Sequence, residues 1–325
     1  MKGTPMLRLS RRGFAASLAA LPLAAVAPTA LQARSSGPLP RLPVTARYQI
    51  GRFEVTVISD GYIDFPFDFF TGATPDQARA AAGAVHAAGV NGVRGSFSTY
   101  LINDGERYIL VDSGPAGTVS ATSGYLPETL AFLGVAPTDI DAVILTHAHI
   151  DHIGGMIAGG RNAYPEAEVF IDRRDLAAFT DPSIEARAPE ITKSSFAATQ
   201  DLARLYPRLQ AIDGDREISR GVSVFDLSGH TPGQIGVRIE DEGQSLNLVS
   251  DMLFHPAAHP AIPGFGIIFE MDKDAADAAR ARFFPKAADE GLLMAATHMP
   301  FPGVGRIVSD AGALRWLPAD WSYVG

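Results

Sequence analysis

The run Thr146-His147-Ala148-His149-Ile150-Asp151-His152-Ile153-Gly154-Gly155 constrains this chain more than any other stretch. It follows Asp141–Leu145, an apolar run that reads as a buried strand, and its two glycines permit a tight passage into the next element. Four potential metal ligands therefore stand within six residues at a strand end, where α/β folds gather functional groups. Burying three imidazoles and a carboxylate together without a cation would leave several polar groups unpaired. A solvated His-rich loop is the alternative reading, but the spacing is specific and further histidines follow downstream. The chain has no cysteine, so disulfides and thiolate ligands are both excluded. Any metal must be held by imidazole and carboxylate, as hard or borderline divalent ions accept.

The N-terminus is built differently. Ser10-Arg11-Arg12-Gly13-Phe14 precedes an Ala/Leu-rich run from Ala15 to Ala27, with Pro, Ser and Gly following to about Pro43. A basic start, a short apolar centre and small residues after it predict an export signal. The paired arginines ahead of a phenylalanine resemble the twin-arginine signal. The expected division is a signal over 1–33, a linker over 34–47 and a single body over 48–325, with a periplasmic or secreted product. Of 27 basic and 36 acidic residues, Lys2, Arg8, Arg11 and Arg12 fall in the signal and no acid does, which leaves the body at a formal charge of −13. So acidic a body argues against nucleic acid and anionic membranes as partners. Beyond the signal no apolar stretch is long enough to span a bilayer.

Strand and helix signals alternate along the body. Strands are expected at Tyr48–Ser59 (ending in an Asp60-Gly61 turn), Ser98–Ile102, Tyr108–Val111, Asp141–Leu145, Glu168–Ile171, Val222–Leu227, Ile235–Ile239, Ser245–Val249 and Leu292–Ala296. Helices are expected near 76–88, 127–133, 173–179, 194–205 and 274–288. Strands mixed with helices in both halves imply an α/β fold, with sheets covered by helices.

The ligand run and three later words, in order, resemble the metallo-β-lactamase superfamily. Leu227-Ser228-Gly229-His230-Thr231-Pro232-Gly233 is similar to its second ligand loop. Leu248-Val249-Ser250-Asp251 resembles the strand that delivers a bridging carboxylate, and Ala296-Thr297-His298 the strand that ends on a last histidine. Asp60 and Val111-Asp112-Ser113-Gly114 fit the family's early hairpins. The resemblance implies one four-layer αββα body, two mixed sheets sandwiched between helices. It also implies two divalent metal ions, zinc first, with manganese, iron or cobalt suited to the same ligands. His147, His149 and His230 would hold the first ion and Asp151, His152 and His298 the second, with Asp251 bridging. Two such ions stabilise a bridging hydroxide and polarise a substrate oxygen, so Asp151 and Asp251 carry the catalytic roles. Asp112 is expected to hold a ligand histidine, His255 and His259 to be structural, and His86 to have no role.

Within the superfamily, Asp251 stands where true β-lactamases commonly carry Cys or Ser. Nuclease members have added domains and basic surfaces that this chain lacks. Gly51-Arg52-Phe53-Glu54-Val55, Thr99-Tyr100-Leu101-Ile102-Asn103 and His298-Met299-Pro300-Phe301-Pro302-Gly303-Val304-Gly305 resemble the methyl parathion hydrolase and lactonase group. Two positions depart from it: Phe254 replaces a tyrosine that many acyl homoserine lactonases have, and Gln234 ends a word that commonly reads Thr-Pro-Gly-His. Phe179, Phe196, Phe254, Phe265 and Phe269 are the expected walls of an apolar pocket. The resemblance implies hydrolysis of a small apolar lactone or aryl ester, with phosphotriesters as further substrates, and a homodimer. A glyoxalase II-like thioesterase and a metal-dependent binding protein are the alternatives.

Overall fold

The structure, a computed structural model, describes residues 41–262 and 264–320. The expected signal over 1–33 and the start of the linker lie outside the described residues. The first sheet takes its seven strands in chain order: β1 (Thr45–Ile50), β2 (Phe53–Phe65), β3 (Val93–Asn103), β4 (Tyr108–Val111), β5 (Ile140–Ile144), β6 (Glu168–Asp172) and β7 (Leu209–Ile212). From β1 to β4 neighbours are antiparallel; from β4 to β7 they are parallel. Parallel pairing needs a crossover between strands. Those crossovers carry the helices that follow α1 (Pro75–Ala84). They are α2 (Leu126–Phe132), the short α3 (Ile150–Ile153), α4 (Arg173–Thr180) and α5 (Lys193–Leu205).

The second sheet is also in chain order: β8 (Arg216–Ser219), β9 (Val222–Asp226), β10 (Ile235–Asp241), β11 (Gln244–Leu248), β12 (Met294–Ala295), β13 (Val304–Asp310) and β14 (Ala313–Pro318). Only β11 and β12 pair in parallel, and their crossover carries α6 (Lys273–Asp289).

Period-two alternation explains the layering. Val55, Val57, Ile102 and Ile144 of the first sheet meet Val222, Val237, Ile239 and Leu248 of the second in the central core. The intervening Ile58, Leu101, Leu110 and Val143 face outward and pack under Leu126, Leu130, Phe179 and Leu202 of the helices. On the far side, Val249, Met294 and Ile307 pack against Ala279, Phe284 and Ala287 of α6. The result is the expected four-layer αββα sandwich. Each fully buried aliphatic residue contributes about 1.5–3 kcal/mol, and β5 is covered on both faces, so its end is a firm platform. Among the described residues no helix is long and apolar enough to cross a membrane.

The structure corrects several expected elements. The strand read over 48–59 is a hairpin that turns at Gly51-Arg52, and its first strand begins inside the expected linker at Thr45. Asp60-Gly61 is a bulge rather than a turn: β2 shifts register there and continues to Phe65. The bulge sends the buried Asp60 carboxylate to the backbone N–H groups of Gly124 (3.0 Å) and Leu126 (2.5 Å). A C-terminal hairpin, β13–β14, follows Leu292–Ala296, the last strand expected from the sequence.

Candidate metal centre

The site stands where the two sheets end together. Asp112 follows β4, beside β5, and its backbone is left-handed (φ 58°). Such a conformation costs a non-glycine residue about 1–3 kcal/mol unless its surroundings fix it. Here they do: the carboxylate accepts the N–H and the hydroxyl of Thr146, both at 2.8 Å, and receives His152 Nδ1 at 2.8 Å. That bond leaves His152 Nε2 bare and aimed into the site. His149 is the N-cap of α3, and the hydroxyl of Ser195 on α5 accepts the Ile150 N–H at 3.0 Å. At Gly155 a Cβ would lie 2.1 Å from Ser113 O, so only glycine lets the ligand loop close against the loop after β4.

The second sheet supplies the rest. His230 lies in the loop between β9 and β10, which is tied to the first ligand loop by Ile235 N–H donating to Thr146 O at 2.9 Å. Asp251 follows β11 beyond Ser250, another left-handed non-glycine residue (φ 46°). His298 follows β12, and its Nδ1 meets Ser96 O at 2.9 Å, which turns Nε2 toward the carboxylates.

All seven expected ligands converge in two groups, buried except for the half-buried Asp151. In the first, His149 Nδ1 lies 3.0 Å from His147 Nε2 and 3.0 Å from His230 Nε2, and His230 Nε2 lies 3.2 Å from Asp251 Oδ2. In the second, His298 Nε2 lies 3.3 Å from Asp151 Oδ2 and 3.3 Å from Asp251 Oδ2, while His152 Nε2 lies 3.2 Å from Asp251 Oδ1. The Asp251 carboxylate reaches ligand nitrogens of both groups, and the His147 and His152 rings meet between them with centroids 4.0 Å apart. Three imidazole nitrogens this close cannot all be satisfied by shared protons, because one Nδ1 faces two Nε2 atoms. The spacing matches instead the edge of a ligand tetrahedron, about 3.3 Å for nitrogen at 2.0–2.1 Å from zinc. Donor type, spacing and burial therefore all fit divalent cations.

Electrostatics agree with the geometry. Burial holds His147 well below the ordinary imidazole value and His149 at about 3, so both present lone pairs. Burial also opposes charge on His298 and His152. There the carboxylates outweigh it: Asp251 and Asp151 raise His298 to about 9, and Asp251 and Asp112 raise His152 well above its usual value. The carboxylates thus draw positive charge to the second group when no cation is present.

A cavity of about 410 Å³ opens over the ligands, walled by Ile63, Phe65, Phe69, Phe97, Phe254 and Phe269, with Thr192, Ser194 and Ser195 on one side. Among the described residues no Lys or Arg lines it. Phe254 stacks on the His298 ring (centroids 4.7 Å apart, planes at 16°). Phe179 and Phe196 line an adjoining cavity of about 280 Å³, which shares His149, Thr192 and Phe269 with the first. Phe265 lies elsewhere. It stacks on Phe70, packs edge-on to His259, and lines a separate cavity of about 440 Å³. Its place in the expected pocket is therefore corrected: the chain after Phe254 turns away from the ligands. His259 Nδ1 accepts the N–H groups of Phe254 and His255, and His255 Nδ1 accepts those of Ala257 and Ala258, which fixes that turn. His86 is exposed and apart from the ligands. Ser195, Phe65 and Phe97 were not singled out from sequence. Each lies far along the chain from the ligands it serves, and only tertiary structure joins them.

Comparison with known proteins gives the same picture. The model of the metallo-beta-lactamase superfamily matches residues 92–298, which takes in every candidate ligand. Ribonuclease TTHA0252 of Thermus thermophilus is 26% identical over 157 residues, 48% of this chain and 35% of that protein. N-acyl homoserine lactonase AiiB of Agrobacterium fabrum is 28% identical over 177 residues, 48% of this chain and 63% of its own length. The chain thus spans less than two thirds of either curated relative. Among solved structures, the hydrolase AbOPH in the beta lactamase superfamily superimposes with a TM-score of 0.80 at 25% identity, covering 87% of this chain and 100% of that one. AidC, a dizinc quorum-quenching lactonase, superimposes with a TM-score of 0.78 at 23% identity, covering 87% and 99%. Fold, ligand order and the family match coincide, and the chain belongs to the metallo-β-lactamase superfamily of hydrolases.

Proposed function

We propose that the protein is a binuclear metal-dependent hydrolase of neutral, apolar lactones or aryl esters, with neutral phosphotriesters as further substrates. The observation that carries this reading is the cavity over the ligands, walled by aromatic and aliphatic side chains, with no Lys or Arg among the described residues that line it. Two divalent cations, once bound, supply an activated water and hold the negative charge that develops on a substrate oxygen. The chain's own residues do the rest. Asp251, within 3.2–3.3 Å of His152, His230 and His298, links the two ligand groups. Asp151 lines the cavity, and although burial disfavours its charge, His152 and His298 hold it at about 2. It is therefore ionised at neutral pH, and orients a water proton rather than donating one. Phe65, Phe97 and Phe254 surround His298 and keep bulk water from the reacting carbonyl.

A glutathione conjugate carries carboxylates remote from its thioester, and among the described residues no Lys or Arg lines the cavity to hold them; Arg187 stands in the adjoining one. A substrate without distal charges needs no such partner, which favours neutral substrates over a glutathione thioester. The test is a panel of lactones, aryl esters, phosphotriesters, phosphodiesters and glutathione thioesters assayed with the metal-loaded protein. Neutral substrates should exceed anionic ones in kcat/KM by at least ~10²-fold. A glutathione thioester as the best substrate would overturn the reading.

A further inference from the structure

One carboxylate outside the ligand set joins the loops that carry the first ligand group. Asp175, in α4, is fully buried. Its Oδ2 accepts the N–H of Ala148, between His147 and His149, at 2.9 Å, and the hydroxyl of Thr231, next to His230, at 2.8 Å. Its Oδ1 accepts the N–H of Gly233 at 2.5 Å. The Ala148 loop leaves the first sheet and the Thr231–Gly233 loop leaves the second, so a single side chain spans both. At Gly233 a Cβ would lie 2.6 Å from Asp175 N and 2.8 Å from Asp172 Oδ1, so the His230 loop rests directly on the first turn of α4. That turn is itself fixed between the sheets: Arg174 donates to Asp172 at 2.9 Å and to Asp226, the last residue of β9, at 2.6 Å. The second ligand group is oriented by other partners, Asp112 on His152 and Ser96 O on His298.

We propose that Asp175 is a positioning residue for the first metal, setting the spacing of His147 and His149 against His230 while leaving the second metal's ligands alone. This rests on the metal-centre reading above. A displacement of a few tenths of an ångström between the two loops changes the bite of three imidazoles, and partners that orient ligands in this way are typically worth 10–100-fold in metal affinity. Asp175→Asn keeps the shape of the side chain but turns one acceptor oxygen into an NH2 that faces an N–H or hydroxyl donor. Thr231→Val removes one of the three bonds and keeps the carboxylate.

The experiment is a competition titration of cobalt(II) against a chromophoric chelator, for the wild type and both variants, with the thermal midpoint of each metal-free protein measured alongside. The wild type should hold two ions. Asp175→Asn should hold one ion as tightly as the wild type and the other 10–100-fold more weakly, and Thr231→Val should weaken the same ion by less. His147→Ala and His152→Ala backgrounds assign the ions: Asp175→Asn should weaken the ion that survives in His152→Ala and spare the one that survives in His147→Ala. Equal weakening of both ions, or a lowered thermal midpoint with unchanged affinities, would leave Asp175 a fold-stabilising residue only and overturn the proposal. If Asp175→Asn does not fold, Thr231→Val decides by the same selectivity. A wild type that takes up no ion defeats the metal-centre reading itself; two ions in the wild type with unselective loss in the variants defeats only this inference.

Discussion

Removing the metal should make the protein's stability fall as pH rises from 6.5 to 9. Burial works against a charged His298, but Asp251 and Asp151 outweigh it and push its pKa up to about 9; His152 is raised in the same way by Asp251 and Asp112. An imidazole whose folded value lies above its unfolded value of about 6.5 stabilises the fold fully below pH 6.5 and loses that contribution as pH rises through the folded value. For His298 the difference is on the order of 3 kcal/mol, a sizeable share of the about 5–15 kcal/mol by which domains are stable. Other shifted groups act elsewhere. Burial lowers His147 and His149, and raises Asp60 and Asp175 to about 6, so all four change their contribution at or below about pH 6.5. The window above 6.5 therefore isolates His298 and His152. Bound cations take the place of those protons, so the loaded protein should be nearly flat over the same range. Urea unfolding of chelator-stripped and metal-loaded protein at several pH values from 6.5 to 9.5 measures both curves. Calorimetric metal titration at pH 7.5, in two buffers of different ionisation enthalpy, should also register proton release. A stripped protein as stable at pH 9 as at 6.5, with no proton released on loading, would refute the reasoning.

Three further outcomes follow from the site. Asp251→Asn removes the one carboxylate shared by both ligand groups, so metal content should drop below two and turnover fall by at least ~10³-fold on every substrate; near-normal rates with full metal would show that the ions are not linked there. Phe269→Ala should change the ranking of aryl esters against aliphatic lactones by about 1–3 kcal/mol, whereas Phe265→Ala should cost about 3–5 kcal/mol of stability and leave the ranking unchanged. Arg11→Lys with Arg12→Lys should leave the precursor in the cytoplasm, measured by fractionation, and unchanged export would mean that another route carries it.

The parts of the molecule that were legible from sequence are those written in consecutive residues. Strand β4 and helices α4 and α5 fall close to their expected bounds, because a short apolar run after a turn, or a 3.6 period over two or more helical turns, is hard to mistake. The ligands were legible because His147, His149, Asp151 and His152 form one word after the buried strand β5, and because His230, Asp251 and His298 stand in words that resemble the superfamily's in the same order. Turn chemistry was less readable. Asp60-Gly61 and Gly51-Arg52 are both short polar interruptions of apolar runs, yet the first is a bulge and the second the turn, because Asp60 finds two backbone donors from a loop more than sixty residues away. Phe265 and Phe269 differ by four positions and sit in different cavities, a divergence decided by where His255 and His259 anchor the intervening chain.

The distribution of the ligands between the sheets gives the centre a second consequence. His147, His149, Asp151 and His152 follow β5 of the first sheet, whereas His230, Asp251 and His298 follow β9, β11 and β12 of the second. The direct ties across this rim are polar and spread over several loops: Ile235 N–H on Thr146 O, Ser98 N–H on Thr297 O, His298 Nδ1 with Ser96 O, the Thr146 and Ser250 hydroxyls, Arg174 on Asp226, and the bonds of Asp175 to Thr231 and Gly233. Deeper in the sandwich the sheets are joined by an apolar core that is indifferent to small sliding motions, since aliphatic packing has no fixed direction. Cations held by ligands from both sides would add a further directional restraint to those hydrogen bonds. A ligand set drawn from one sheet alone would bind metal without fixing the other sheet; this one would hold the two sheets in register at the point where the cavity opens, with Phe254, in the loop that follows Asp251, set against Phe65 and Phe97 of the first sheet.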